Sequence, residues 1–171
     1  HPNKAIILGD SNGPYLKNVR NHSFLSYLGP KQYILSVDCR SERKLEQIVA
    51  PKTYAKIFER VRQMPAGVDH LTILLGVPLA YPRMVFLEKT LSSKFNPLIM
   101  LMKGISPGFT NDFNGQVELL DDLNDHWCAA PHKKERNWLV EKVQEVAYEK
   151  RLRVSFISGD VHAGGGGLFL G

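Results

Sequence analysis

Apolar residues in this chain come in short runs separated by turn-forming stretches, and between the runs they recur at helical spacing. Ala5 to Leu8 is a short apolar run, ended by the turn-rich Gly9-Asp10-Ser11-Asn12-Gly13-Pro14. Tyr33 to Val37 reads as a buried strand. Tyr54, Ile57, Phe58 and Val61 fall on one face over residues 52 to 63, which predicts a helix, and Pro51 suits its first turn. Leu71 to Val77 predicts a second buried strand, closed by Pro78. Met84, Leu87 and Leu91 predict a helix over 83 to 93. The stretch from about Phe95 to Ala130 is rich in Gly, Asn, Asp and Pro and reads as a loop of the length that is usually functional or disordered. Pro131 opens a helix with Leu139, Val143, Val146 and Ala147 on one face, and Arg153-Val154-Ser155-Phe156-Ile157 forms a last strand.

Strands alternating with helices predict an α/β sheet with helices packed on its faces, in a single domain over residues 1–171. With 171 residues and 43% hydrophobic content, the chain can bury a real core. Net charge is +5, but the basic residues are scattered. The one dense run, His132-Lys133-Lys134-Glu135-Arg136, is interrupted by an acid and reads as a solvated helix face rather than a nucleic-acid stripe. Such an excess suits an anionic substrate. Cys39 and Cys128 lack CxxC spacing, so neither a zinc site nor a disulfide framework is expected, and Cys39 reads as a small buried residue. No segment has the apolar length of a membrane span. The opening His1-Pro2-Asn3-Lys4 lacks an initiator and a signal-peptide core, which reads as a processed, trimmed or partial chain and inclines the expectation to the cytoplasm.

Chemistry concentrates where strands end. Gly159-Asp160-Val161-His162 follows the last strand and leads into Ala163 and four glycines. An apolar strand ending this way delivers a carboxylate and an imidazole to the carboxyl edge of a sheet, where open α/β folds bind ligands. Asp160 and His162 can therefore reach one metal ion or two adjacent ones; the alternative is an ordinary strand end with a turn Asp. Asp38-Cys39-Arg40-Ser41-Glu42-Arg43 follows the Tyr33 strand, and its two arginines present paired donors matched to phosphate oxygens. An Asp–Arg ion pair closing the turn is the structural alternative. Asp121-Asp122-Leu123-Asn124-Asp125-His126-Trp127 packs acids densely enough to suggest metal or polar-ligand work, or else a solvated acidic turn. Tyr81 and Arg83, in Gly76-Val77-Pro78-Leu79-Ala80-Tyr81-Pro82-Arg83, line a pocket mouth or a plain strand-to-helix joint. His22 and His70 read as surface or satisfied turn residues, and His132 as a solvated polar one. Walker, GxGxxG and Gly-x-Ser-x-Gly patterns are missing, which removes the usual support for nucleotide and serine-hydrolase readings.

Taken in order, five pieces carry a resemblance. They are Asp38-Cys39-Arg40 with Arg43, Leu74 to Arg83, Leu120 to Trp127, the helix holding Glu135-Arg136-Asn137-Trp138, and Ser158-Gly159-Asp160-Val161-His162. Together they resemble the C-terminal half of a PhoD-like metallophosphatase domain, of the branch found in fungi and related eukaryotes, over nearly the whole chain.

That resemblance implies part of a metallophosphoesterase-like αββα sandwich with a metal centre at the carboxyl ends of its strands. It implies metal-dependent phosphoester hydrolysis, with Asp160, His162 and Arg40 as catalytic residues and Asp160 and His162 as metal ligands. Asp38, Arg40 and Arg43 are implied to line the substrate pocket, with Asp122, Asp125 and His126 near its mouth. Calcium and iron are the implied metals, a phosphoester the substrate, and the N-terminal half of the same domain the partner; neither a membrane nor a nucleic acid is expected. The family's earlier metal motifs normally precede the region that begins at His1, and Gly76-Val77-Pro78 stands where many phosphoesterases place a histidine. The chain thus reads as half of an enzyme. The competing expectation is a non-catalytic α/β binding module that keeps the arginine pocket without the metal motifs.

Overall fold

A computed structural model describes residues 3–12, 19–80, 127, 129–159 and 166–168. Along the chain run β1 (Ile6–Asn12), β2 (Arg20–Gly29), β3 (Gln32–Val37), α1 (Pro51–Arg62), β4 (His70–Leu75), α2 (Lys133–Lys150) and β5 (Arg153–Ser158). The strands form a five-stranded sheet among the described residues, in the order of the sequence. β1, β2 and β3 pair antiparallel, whereas β3, β4 and β5 run parallel. The fold is α/β, as the alternation predicted.

Pairing register sorts the side chains onto two faces, because residues opposite one another in a sheet share a side. Leu25, Leu35, Ile73 and Phe156 lie in one row across four strands. This face is covered. Phe58 and Val61 of α1 and Val143 and Val146 of α2 pack with Leu35, Leu71 and Ile73 in one apolar core. Burying such side chains supplies about 1.5–3 kcal/mol each, the main favourable contribution to the fold. The next row runs Ile6, Phe24, Ser36, Leu74 and Ile157 across all five strands. On that second face Ile6 is 43% and Ile157 55% exposed.

β2 is a strand that the apolar pattern did not predict. Its core-facing positions include Asn21 and Ser23, both fully buried, so the alternation of apolar and polar residues is inverted. These two polar residues hydrogen-bond instead of packing: Asn21 Oδ1 accepts from the Ser23 N–H at 3.1 Å and from Ser23 Oγ at 2.7 Å. At the far end of the sheet, α2 ends on Arg151 with φ of 55°, a left-handed turn unusual for a residue with a side chain, and buried Leu152 follows it into β5. The expected helix over 83 to 93 and most of the expected loop from about 95 to 130 lie outside the described residues, as does Cys128, while Ala130–His132 form a 3-10 turn that leads into α2.

Candidate functional site at the carboxyl edge

The three parallel strands end together. Val37 pairs with Leu75 and Leu75 with Ser158, so the segments that leave at Asp38, Gly76 and Gly159 start side by side on one edge. This is the edge at which parallel α/β sheets collect ligand-binding residues. Asp160 and His162, next in the chain after Gly159, lie outside the described residues, as do Tyr81, Arg83, Asp122, Asp125 and His126.

The segment from Asp38 to Ala50 joins β3 to α1 and carries both arginines. Asp38 governs its start. Asp38 Oδ1 accepts the N–H groups of Arg40 and Ser41, each at 3.0 Å. Asp38 Oδ2 accepts the His22 N–H at 3.0 Å and the Ser41 hydroxyl. Burial pushes this carboxyl up, but those four donors outweigh it and hold Asp38 below its ordinary range. The turn is therefore closed by bonds from Asp38 to the Arg40 and Ser41 backbone, with the acid acting on the chain itself. Asn21 adds a link from β2, donating from Nδ2 to the Asp38 carbonyl at 2.8 Å.

Arg40 is exposed, while Arg43 is half-buried. Arg43 Nη2 lies 3.3 Å from His132 Nε2, and since guanidinium has donors only, that ring nitrogen is the acceptor of the pair. His132 is 2% exposed, so it is a buried residue at the start of α2 and not the solvated one expected. His22 and His70 fit the expectation of satisfied histidines: His22 Nδ1 is 2.6 Å from the Arg20 carbonyl and His70 Nε2 is 2.9 Å from Ser155 Oγ.

Cys39 is buried, with Sγ 3.3 Å from the Val37 carbonyl. Burial pushes its thiol up to about 11, more than the Gly76 N–H pulls it back, so it is protonated and unreactive at neutral pH. Trp127 is fully buried and donates its backbone N–H to the Pro78 carbonyl at 3.1 Å, tying it to the turn after β4.

The end of the arginine segment is held by two glutamates that lie inside the sequence motifs without a role of their own there. Glu42 is 1% exposed; its Oε1 accepts from Thr53 Oγ1 at 2.8 Å and its Oε2 from the Ala50 N–H at 2.9 Å. The carboxylate thus sits at the first turn of α1, where the helix dipole favours negative charge. Gly9 makes room for it, because a Cβ there would stand 2.6 Å from Glu42 Oε1. Glu135, in the first turn of α2, reaches back to the same segment. Its Oε2 accepts the Ile48 N–H at 2.7 Å, and its Oε1 accepts the Val49 N–H at 2.9 Å and the Tyr54 hydroxyl at 2.7 Å. Burial and the adjacent Glu135 raise the Tyr54 hydroxyl well above its ordinary value, so it stays a donor. A signal for Glu135 existed: it lies four residues before Leu139, on the buried stripe of α2.

Among the described residues, no three His, Cys, Asp or Glu side chains come together in a way that holds a metal ion.

The fold is an α/β sheet whose parallel strands end together beside an arginine-bearing segment. The family model described as "PhoD related phosphatase" matches residues 15–96 and 99–171, and the chain belongs to that family. It is similar to the uncharacterized protein YGR266W of Saccharomyces cerevisiae, 47% identical over 171 residues, covering 97% of this chain and 24% of the yeast protein. The chain thus spans about a quarter of the length of that relative. No solved structure matches it.

Proposed function

We propose that the complete protein hydrolyses phosphoesters and that this chain supplies one wall of its anion pocket. The observation that carries the reading is the common end of β3, β4 and β5, which sets the Asp38–Arg43 segment beside the starts of the Gly76 and Gly159 segments. Family membership adds the class of chemistry, because the matching model describes phosphatases. Arginine suits such a pocket. Its planar fork presents paired donors to phosphate oxygens, and these interactions strengthen as charge builds on those oxygens in the transition state. Arg40, exposed on the edge, is the residue we assign to the substrate; Arg43 stands behind it against His132. Asp38 shapes the turn that presents both. Asp122, Asp125 and His126 are proposed for the pocket mouth.

Asp160 and His162 are the proposed metal ligands, with calcium and iron the proposed ions. The chemistry that such ions supply is an acidified water and counter-charge for the phosphoryl oxygens. The described residues alone do not make a metal cradle, so further ligands are assigned to the rest of the protein. The sheet's second face supports that division. Its row from Ile6 to Ile157 is apolar at four of five positions and half-open, and we assign the remainder of the domain to cover it.

The test is phosphodiester hydrolysis and metal content of the complete protein, with Asp160→Ala and His162→Ala beside it. Both variants are expected to lose turnover and bound metal while keeping the wild-type circular dichroism spectrum. Wild-type turnover by either variant contradicts the assignment. A metal-free, inactive parent that still binds phosphate would favour a non-catalytic binding module.

A further inference from the structure

The geometry points to Glu135 as a positioning residue for the arginine segment, acting through the backbone of Ile48 and Val49. The inference rests on the reading of Arg40 and Arg43 as the anion-binding side of the pocket.

The segment from Asp38 to Ala50 has no regular element beyond one bridge between Lys44 and Gln47. Beyond that bridge and the Arg43 N–H bond to the Arg40 carbonyl, its backbone is satisfied by side chains, since buried N–H groups require partners. Three successive donors, Ile48, Val49 and Ala50, all point at carboxylates: the first two at Glu135 and the third at Glu42. Glu42 belongs to the segment itself and fixes it to α1. Glu135 is different, because it comes from α2, 86 and 87 residues away in sequence from the groups it holds. It also accepts the Tyr54 hydroxyl of α1, so one carboxylate joins the arginine segment to both helices.

Tyr54 is itself fixed, its ring 4.9 Å from that of Trp138, one turn along α2 from Glu135. The same turn of α2 is preceded by His132, which meets Arg43. Thus α2 and the residue just before it hold the segment twice, once at the Arg43 guanidinium and once at the Ile48–Val49 backbone. Asp38 fixes the other end to β2, through the His22 N–H and the Asn21 side chain. With its start and finish both anchored by hydrogen bonds to carboxyl groups, the stretch bearing Arg40 and Arg43 has little freedom left, which is the preorganisation that anion recognition needs.

Glu135→Gln keeps one carbonyl acceptor but turns an amide N–H₂ towards the second backbone N–H, so one anchor is lost with little change in volume. Two readouts on the complete protein test the inference. In hydrogen exchange, the Ile48 and Val49 amides are expected to be protected in the wild type and to lose protection in Glu135→Gln. In kinetics, Glu135→Gln is expected to raise KM for a phosphodiester, and the inhibition constant of inorganic phosphate, by about tenfold with kcat changed less. Val146→Ala serves as the comparison; it loosens α2 from the sheet without touching the segment, and its KM is expected to stay within about twofold of wild type.

Rapid exchange at Ile48 and Val49 in the wild type overturns the inference, whether or not Glu135→Gln folds. Equal KM changes in Glu135→Gln and Val146→Ala, or none in the former, reduce Glu135 to a structural residue and overturn it as well. A wild type with no phosphoester turnover instead defeats the functional reading, and the exchange measurement with phosphate binding still decides whether the clamp exists and serves anion capture.

Discussion

Leu35 and Asp38 stand three residues apart, on β3 and at its exit, yet they are held in place by different physics. Leu35 lies in an apolar row under two helices, where area removed from water does the work and many neighbours share it. Asp38 lies where the strand gives out, and four specific donors fix it. The first kind of region tolerates conservative exchange and is insensitive to pH. The second depends on the charge state and reach of single atoms. Binding sites built from loops on a rigid sheet follow this division, with the packed region giving rigidity and the polar region giving direction.

The contrast is broken most severely from the apolar side. Ile73 is 1% exposed at the centre of the row, and Ile73→Ala is expected to destabilise by about 2–5 kcal/mol, read by urea denaturation. Its effect should be the same at pH 5 and pH 8, since its core neighbours among the described residues are apolar.

On the polar side the effect is smaller and depends on pH. Asp38 is held below its ordinary value of 3.8, so the unfolded chain binds its proton more readily than the folded one. Its contribution to stability is complete above that value and is lost as pH falls through the lower folded value. Asp38→Asn is expected to be less stable than the wild type at neutral pH, with the gap narrowing in strong acid. A gap that stays constant down to about pH 2 would mean that the charge of Asp38 is not what holds the turn.

The smallest effect belongs to a surface ion pair in neither region. Arg62 and Glu149 meet at 3.0 Å with side chains 45% and 47% exposed, and Arg62→Ala is expected to change stability by no more than about 1 kcal/mol. A larger loss would show that the α1–α2 contact depends on charge as well as on its apolar core.

The same division explains what could be read from the sequence. β3, β4, α1 and α2 were legible because burial of one face writes a period into the chain: Tyr54, Ile57, Phe58 and Val61 are all buried as the spacing predicted. β2 was not, because Asn21 and Ser23 replace apolar residues on its buried side and are satisfied by hydrogen bonds that pattern cannot reveal. At the site, the strand ends were legible and their neighbours in space were not. Glu42 looks like any charged loop residue until Thr53 and the Ala50 N–H are seen against it. His132 and Glu135 sat inside a charged run that reads as a solvated face, although both turn inward toward the arginine segment. The place of Glu135 on the buried stripe of α2 was the one local trace; the partners it meets so far along the chain left none.

The measurement that tests the central claim most directly is release of the alcohol, with a phosphomonoester as the other product, from a phosphodiester by the purified complete protein, compared with its Arg40→Ala variant. Hydrolysis by the wild type, with KM raised about tenfold or more in the variant, is the result expected if the carboxyl edge receives the substrate. Equal kinetic constants in the two proteins would contradict it.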